Sequence, residues 1–177
     1  ADLADSLAVG RQAISNYFNH YEQDFKLGAL LEYDFRGHGV HVDELRLTGL
    51  IDKIEFLDEE KKLVKVVDYK TGNPDNSYAK AKEGGSYWRQ LVFYKLLGDK
   101  SKRFDYKVVS GELDFIQPSK RSGKLVKKEI AVSDQDVTDL EKDIKRVWGE
   151  IKDLKFLDEE AACGECEYCL SLTNTGS

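Results

Sequence analysis

The strongest constraint on the fold is a β-hairpin predicted in the middle of the chain. Residues 45–57, LRLTGLIDKIEFL, and residues 63–72, LVKVVDYKTG, are rich in the β-branched and apolar side chains that favour strands. The polar segment DEEKK between them predicts a turn. Because side chains alternate along a strand, Asp68 and Lys70 share one face and Tyr69 points to the other. The second strand therefore ends with an acid and a base side by side, which by themselves are also typical of an ordinary edge-strand ion pair.

The flanking sequence predicts an α/β domain in which a central mixed β-sheet is flanked by helices. Apolar residues recurring at steps of 3, 4 and 7 predict a first helix with an apolar stripe through Leu3, Leu7, Ile14 and Phe18. Gly98 is predicted to close the second helix, and Ser133 to cap the last one. The predicted helices and strands are residues 2–26, 31–35, 45–57, 63–72, 86–98, 104–117, 123–132 and 134–153, with a polar loop over 73–85.

Composition bounds the class of protein. A chain of 177 residues with 41% hydrophobic and 34% charged residues suits a single globular domain. Its net charge of −6 argues against binding nucleic acid by overall attraction, although basic residues gather at 100–107 and 120–128, as local patches or as solvated faces. No apolar run approaches the roughly 20 residues of a membrane span and no signal-like segment opens the sequence, so we expect a cytoplasmic protein without a membrane partner.

Two carboxylates are predicted to converge at the hairpin. Asp52 lies on the first strand and Asp68 on the second, so a turn over 58–62 brings the two acids near each other. Paired carboxylates repel unless a cation lies between them, and oxygen ligands supplemented by water suit Mg²⁺ or Mn²⁺. Lys70 beside them adds a fixed positive charge that can stabilise the charge developing in phosphodiester hydrolysis.

The segments TGLIDKIEF, VVDYKTG and RQLVFYKLL, in this order, resemble the PD-(D/E)XK nuclease superfamily in its RecB-like branch, the nuclease domains of helicase-nucleases of the RecB, AddA and AddB kind. The resemblance covers roughly residues 30–98 and implies a restriction-endonuclease-like core. It implies that Asp52 and Asp68 bind the metal, together with the backbone carbonyl of Tyr69, and that Lys70 is the catalytic lysine.

A further motif lies on the second predicted helix. Gln90 and Tyr94 are four residues apart, so they share a helical face and can reach one site. They match the Q-x₃-Y motif of the RecB-like branch, which implies a catalytic role, although Tyr94 also fits a core position. Glu32 is similar to an acid on the preceding strand of these nucleases and is a further candidate metal ligand, or else a solvent-facing residue.

One feature of the RecB-like branch has no counterpart here. Its members carry a histidine on a helix ahead of these strands, and His20 lies on the first helix without the matching context. His38 and His41 lie in a glycine-containing loop, as surface histidines commonly do. The sequence also begins Ala-Asp-Leu and contains no methionine, so we expect a piece of a longer chain that starts after this histidine, or a member that lacks it.

All three cysteines lie in the segment CGECEYC, at Cys163, Cys166 and Cys169. This spacing is typical of metal ligands, but three thiolates do not complete a tetrahedral site. Some AddB-like nucleases hold a [4Fe–4S] cluster with one cysteine before the nuclease core and three after it, at a longer spacing than here. The resemblance thus implies a [4Fe–4S] or Zn²⁺ site in a longer protein, and free thiols are the alternative.

Together these patterns predict a nuclease-like domain over residues 1–160 and a cysteine-containing tail over 161–177. We expect a Mg²⁺-dependent deoxyribonuclease, an exonuclease in preference to an endonuclease. Its partners would be DNA and the helicase domains of a helicase-nuclease that processes DNA ends in recombinational repair. The alternatives are an inactive nuclease-like module that binds DNA or docks a subunit, and a module whose main function is its iron–sulphur cluster or zinc.

Overall fold

A five-stranded mixed sheet is built from strands between residues 30 and 131. The structure is a computed structural model that describes residues 3–25 and 27–155. In chain order, the strands are Leu30–Asp34 (β1), His41–Val42 (β2), Leu45–Arg46 (β3), Leu50–Asp58 (β4), Leu63–Lys70 (β5), Lys107–Phe115 (β6) and Val126–Ala131 (β7). The central sheet has the order β1-β4-β5-β6-β7, and β2 pairs with β3 separately. Only β5 and β6 run parallel, so the sheet is mixed.

Within the described residues, four α-helices accompany the strands. They are Leu3–Tyr21 (α1), Tyr78–Ala81 (α2), Ser86–Lys100 (α3) and Asp134–Lys152 (α4), with 3₁₀ turns at Glu22–Asp24 and Pro74–Asn76. The predicted class, a mixed sheet flanked by helices, is confirmed. The chain divides into two compact units, residues 1–140 and 141–177. In the second unit the end of α4 carries an ion pair between Arg146 and Glu150, at 2.9 Å. The predicted domain boundary at 160 lies outside the described residues.

The parallel pairing of β5 and β6 places α3 against the sheet. Parallel neighbours need a crossover connection, and here the crossover contains α2 and α3. A Cβ at Gly111 of β6 would lie 2.8 Å from Cδ1 of Leu91, so α3 lies directly on this strand. Leu91, Val66 and Leu113 are fully buried between helix and sheet. The same packing holds the polar face of α3 over the ends of β4 and β5.

The prediction of one continuous strand over residues 45–57 is wrong. This segment forms two strands, β3 and β4, which belong to different sheets. Residues 47–49 separate the two strands, and the Gly49 carbonyl accepts a hydrogen bond from the backbone N–H of Phe35 at 2.9 Å. A Cβ at Gly49 would lie 2.6 Å from Cδ1 of Leu97, so the backbone approaches α3 too closely for a side chain. This tertiary contact interrupts a segment whose apolar composition favours one strand.

The first helix is confirmed, but it is shorter than predicted and buries another face. It ends at Tyr21, and its buried residues are Ala13 and Tyr17. The predicted apolar stripe is exposed at Leu3, Leu7, Ile14 and Phe18. Polar partners on the sheet account for the difference, because the Tyr17 hydroxyl donates a hydrogen bond to Asp114 and its ring lies edge-on to Tyr69, with centroids 6.3 Å apart.

The helix predicted over residues 86–98 is α3, and it extends beyond its predicted end at Gly98. It continues to Lys100, and Gly98 lies inside it. A Cβ at this glycine would lie 3.2 Å from ring carbon Cε1 of Phe104 and 3.2 Å from Cγ2 of Val108. Gly98 therefore permits close packing and does not terminate the helix.

The prediction of a loop over residues 73–85 is incomplete. This segment contains the Pro74–Asn76 turn and the short helix α2, which its polar composition did not indicate. The predicted cap of the last helix is confirmed: Ser133 Oγ accepts from the N–H of Asp136 at 3.2 Å, and Ser133 N–H donates to the Asp136 carboxylate at 2.7 Å.

The sheet face opposite α3 carries a chain of ion pairs. Glu55 lies 2.6 Å from Lys53 and 3.2 Å from Lys65, and Lys65 lies 2.8 Å from Glu112. These residues alternate with the apolar residues of β4, β5 and β6 that face α3. One face of the sheet is thus a hydrophobic core and the other a largely buried polar surface.

Candidate active site

The two predicted acids lie side by side on neighbouring strands. Lys53 pairs with Val67 in the antiparallel β4–β5 register, which places Asp52 at the level of Asp68. Asp68 is 3% exposed. The backbone N–H of Tyr69 donates to Oδ2 of Asp52 at 2.8 Å, fixing the orientation of this carboxylate. The hairpin thus brings Asp52 and Asp68 to one place.

Three side chains contact the Asp68 carboxylate. Its Oδ1 accepts hydrogen bonds from Nε2 of Gln90 at 2.7 Å and from the hydroxyl of Tyr94 at 2.9 Å. Its Oδ2 lies 2.6 Å from Nζ of Lys70, and no described residue donates a well-directed hydrogen bond to this oxygen. Oδ2 is therefore held by the charge of Lys70 alone, which makes it the better candidate of the two oxygens to bind a metal.

Lys70 is held between the acid and the helix. Its Nζ donates to Oε1 of Gln90 at 2.7 Å while pairing with Asp68. The ring of Tyr87 lies below the same ammonium group, 4.4 Å from its centroid. These contacts hold a positive charge next to the Asp68 carboxylate, and the lysine side chain is only 15% exposed.

One face of α3 supplies the remaining polar groups. Tyr87, Gln90 and Tyr94 follow at intervals of three and four residues, so all three point towards β5. Gln90 Nε2 also donates to the Tyr94 hydroxyl at 2.8 Å, which completes a triangle with Asp68. Burial above all, and then the negative charge of Asp68, raise the pKa of Tyr94 above its ordinary value. A smaller contribution from Asp52 has the same sign, and the tyrosine therefore stays protonated as a donor.

The acids fit a hard divalent cation of the magnesium type. Asp52 and Asp68 provide anionic oxygens on adjoining strands, and Oδ2 of Asp68 lacks a directed donor. No three acidic, histidine or cysteine side chains converge on a metal position within residues 3–25 and 27–155. Two carboxylates with water in the remaining positions suit Mg²⁺, which usually retains several of its waters.

Glu32 and Tyr69 are the other two predicted metal ligands. Glu32 falls between the Leu31–Lys53 and Tyr33–Ile51 pairs, at the level of Asp52, but it is exposed and has a positive φ of 47°. This conformation interrupts the pairing of β1, and the Glu32 carboxylate forms no three-ligand group with the two aspartates in the described part of the chain. The Tyr69 side chain points to the opposite face, as alternation predicts, and lies against Tyr17.

The histidines lie apart from the carboxylate pair. His20 stacks edge-on against Tyr21 on α1, with ring centroids 4.5 Å apart. His38 is half-buried and its Nδ1 lies 2.9 Å from Oγ of Ser101, while Nδ1 of His41 contacts the carbonyl of Gly39. The three cysteines, Cys163, Cys166 and Cys169, lie outside the described residues.

Sequence reasoning missed Tyr87 as a neighbour of the site. Its signal was present in the helical spacing, because Tyr87 precedes Gln90 by three residues and Tyr94 by seven. It also missed the polar face of β6, which alternates as Ser110, Glu112 and Asp114.

The site combines two aspartates on neighbouring strands with a lysine two residues after the second aspartate, and a helix supports the lysine and the second aspartate. This arrangement is typical of a nuclease core. The family model of the PD-(D/E)XK nuclease superfamily matches residues 5–170. This chain belongs to that superfamily, most of whose members are metal-dependent nucleases. A search of curated proteins finds no match to the chain. Within the described ranges, no helix combines the length and hydrophobicity of a transmembrane span.

Proposed function

We propose that this protein hydrolyses phosphodiester bonds of DNA at the site formed by Asp52, Asp68 and Lys70. The observation that carries the proposal is the position of Lys70, whose Nζ lies 2.6 Å from Asp68 and 2.7 Å from Gln90. Superfamily membership supports nuclease activity in general. A lysine required only for stability would not need a glutamine from a crossover helix to orient it towards the carboxylate pair.

Each residue has a distinct task in this proposal. Asp52 and Asp68 would hold Mg²⁺ or Mn²⁺, which supplies Lewis acidity and a more acidic bound water when present. Lys70 stabilises negative charge on the phosphate oxygens as the attacking hydroxide bonds to phosphorus and the leaving ester oxygen departs. Gln90 orients Lys70, and Tyr94 orients Asp68 by donating to Oδ1. The Tyr69 carbonyl and Glu32 remain further candidate ligands.

The biological setting is also part of the proposal. The Q-x₃-Y pair, Gln90 and Tyr94, supports the RecB-like branch, and this branch suggests an exonuclease module that acts with helicase domains in DNA-end processing. A [4Fe–4S] or Zn²⁺ site at Cys163, Cys166 and Cys169 would belong to the same setting. An inactive DNA-binding or docking module is the alternative, favoured by the lack of a histidine in the motif context of that branch.

The test is cleavage of linear DNA in Mg²⁺ by the wild type, Lys70→Ala and Lys61→Ala. Lys61 is a matched control, because it also pairs with an aspartate, Asp58 at 2.9 Å, but on the exposed hairpin turn. We expect Lys70→Ala to remain folded, with a lower melting temperature because the buried Asp68 carboxylate loses its ion-pair partner. Its cleavage rate should fall about 10²- to 10³-fold, the usual effect of removing one group that stabilises the transition state. Lys61→Ala should cleave normally.

Metal binding gives an independent readout. Calorimetric titration with Mg²⁺ or Mn²⁺ should show a site in the wild type and in Lys70→Ala that is absent from Asp68→Ala. Full cleavage by Lys70→Ala would refute the assignment of Lys70. DNA binding without cleavage by the wild type would favour the inactive module.

A further inference from the structure

Tyr78 is an exposed aromatic residue held beside two lysines. The residue is 66% exposed, although tyrosine rings are usually at least half buried by packing. Nζ of Lys82 lies 4.3 Å from its ring centroid, and Nζ of Lys128 lies 5.4 Å from it. Glu83 is the only acid in residues 78–89 of the sequence, so this surface is locally basic in a chain of net charge −6. We call Tyr78, Lys82 and Lys128 the Tyr78 platform.

The segment that carries Tyr78 is fixed to the scaffold. The preceding turn is anchored by Asp75, whose carboxylate accepts from Ser119 Oγ at 2.7 Å and from the N–H of Arg121 at 3.1 Å, both in the β6–β7 hairpin. Ser77, just before α2, and Ala81, at its end, are buried, at 7% and 5% exposure. The short helix is thus packed on the protein at both ends, while the ring of Tyr78 stays exposed.

The platform lies on the same sheet face as the carboxylates. In the sheet register, Lys128 of β7 pairs with Leu113 of β6, and Leu113 pairs with Asp68 of β5. Two strand spacings therefore separate Lys128 from Asp68, a Cα distance of about 10 Å. The ring of Tyr87 lies between Lys70 and Lys80, with its centroid 4.4 Å from Nζ of Lys70 and 5.3 Å from Nζ of Lys80, which follows Tyr78 by two residues. A row of aromatic rings and ammonium groups thus leads from Tyr78 to the site.

Alternating aromatic rings and lysines are the features that bind single-stranded nucleic acid, because bases stack on the rings and the ammonium groups attract the phosphates. We propose that the Tyr78 platform stacks an unpaired base of a single-stranded DNA segment whose backbone continues past Tyr87 to Asp68 and Lys70. In a duplex each base face is covered by its neighbours, so the ring selects unpaired bases. This inference rests on the nuclease function proposed above and adds the substrate class, single-stranded DNA.

The test measures the binding of a fluorescein-labelled single-stranded 12-mer DNA to the full chain by anisotropy, with Ca²⁺ replacing Mg²⁺. Tyr78→Ala should weaken binding about 5- to 150-fold, the usual range for losing one base–aromatic stack. Tyr78→Phe keeps the ring and should bind within about twofold of the wild type. Phe18→Ala removes another exposed ring, on α1, and should also bind normally.

Two further measurements separate stacking from simple charge attraction. Binding of a duplex of the same sequence should be equal for the wild type and Tyr78→Ala. Lys82→Gln should flatten the dependence of log K on log salt concentration by about 0.7 for single-stranded DNA, the contribution of one phosphate contact. Equal single-strand binding by the wild type and Tyr78→Ala, or an equal loss for single strand and duplex, would overturn the proposal.

These experiments distinguish failure of the Tyr78 platform from failure of the nuclease function. In the Lys70→Ala background, which should lose cleavage, Tyr78→Ala should still weaken single-strand binding about 5- to 150-fold. Tyr78-dependent binding without any cleavage by the wild type would leave the platform standing and refute the nuclease. Lys70-dependent cleavage with binding indifferent to Tyr78 would leave the nuclease standing and refute the platform.

Discussion

Gln90 and Tyr94 donate to the same oxygen, so their contributions to stability are coupled. Either donor alone still satisfies Oδ1 of Asp68, whereas removing both leaves this oxygen of a 3% exposed carboxylate without a side-chain donor among the described residues. The ion pair between Asp68 and Lys70 remains in each variant. The double change should therefore destabilise the protein by more than the sum of the single changes.

The magnitudes follow from the net value of a hydrogen bond to a charged group, about 1.5–3 kcal/mol. Because a second donor remains in each single variant, Gln90→Ala and Tyr94→Phe should each cost about 1–2 kcal/mol. The double variant adds the penalty of an unsatisfied buried acceptor, about 1–3 kcal/mol. We expect a coupling free energy of about 1–2 kcal/mol, within the range usual for residues of one network.

The assay is urea unfolding of the four proteins at pH 7 without divalent metal, because metal bound only by the folded state would add its own stabilisation. Gln135→Ala is the matched control, since Nε2 of Gln135 donates to a carboxylate of Asp139 at 2.9 Å on an exposed helical turn. Like Gln90→Ala, this change replaces a helical glutamine by alanine, so the gain in helix propensity is the same in both. It should change the free energy of unfolding by less than about 0.5 kcal/mol. Additivity of the two single changes within about 0.5 kcal/mol would show that Gln90 and Tyr94 do not share Oδ1 in solution.

Two further predictions concern the sheet. Burial raises the pKa of Glu55, but the hydrogen bonds and charges of Lys53 and Lys65 outweigh burial and lower the pKa below its ordinary value of 4.5. The ionised Glu55 therefore stabilises the fold above pH 4.5, and this stabilisation is lost as the pH falls through the folded-state pKa. The urea midpoint should fall more steeply below about pH 4.5 in the wild type than in Glu55→Gln, with exposed Glu129→Gln as control; parallel profiles would contradict this. Gly111→Ala should cost about 1–3 kcal/mol by overpacking against Leu91, and less in a Leu91→Ala background, which removes the two Cδ contacts and keeps the Cβ contact at 3.0 Å; an equal cost in both would refute the contact.

Periodicity predicted most of the fold because each strand has its own local signal. The alternation that assigned Asp68 and Lys70 to one face holds in β5, and its pairing with β4 brings Asp52 alongside. The break at Gly49 and the helical position of Gly98 could not be predicted, because both depend on contacts with residues distant in the sequence.

Side-chain partners were less predictable than strand faces. The i, i+4 spacing placed Gln90 and Tyr94 on one face, but it could not show that both donate to one oxygen of Asp68. The buried face of α1 depends on a hydrogen bond between Tyr17 and Asp114, 97 residues apart, which no local pattern contains.

The turn between β4 and β5 has a role that depends on its length more than on its chemistry. The Asp58 carboxylate accepts the N–H of Lys61 at 3.0 Å, Lys62 has a φ of 55°, and the register shifts between Phe56 and Asp58. A change of length here that slid β5 by one position would exchange its two faces. Asp68 and Lys70 would then lie among the ion pairs of the opposite face, about 20 Å along the strand from the altered turn. A turn that touches neither aspartate of the site thus governs it from a distance, because the spacing it sets decides which face of β5 carries Asp68 and Lys70.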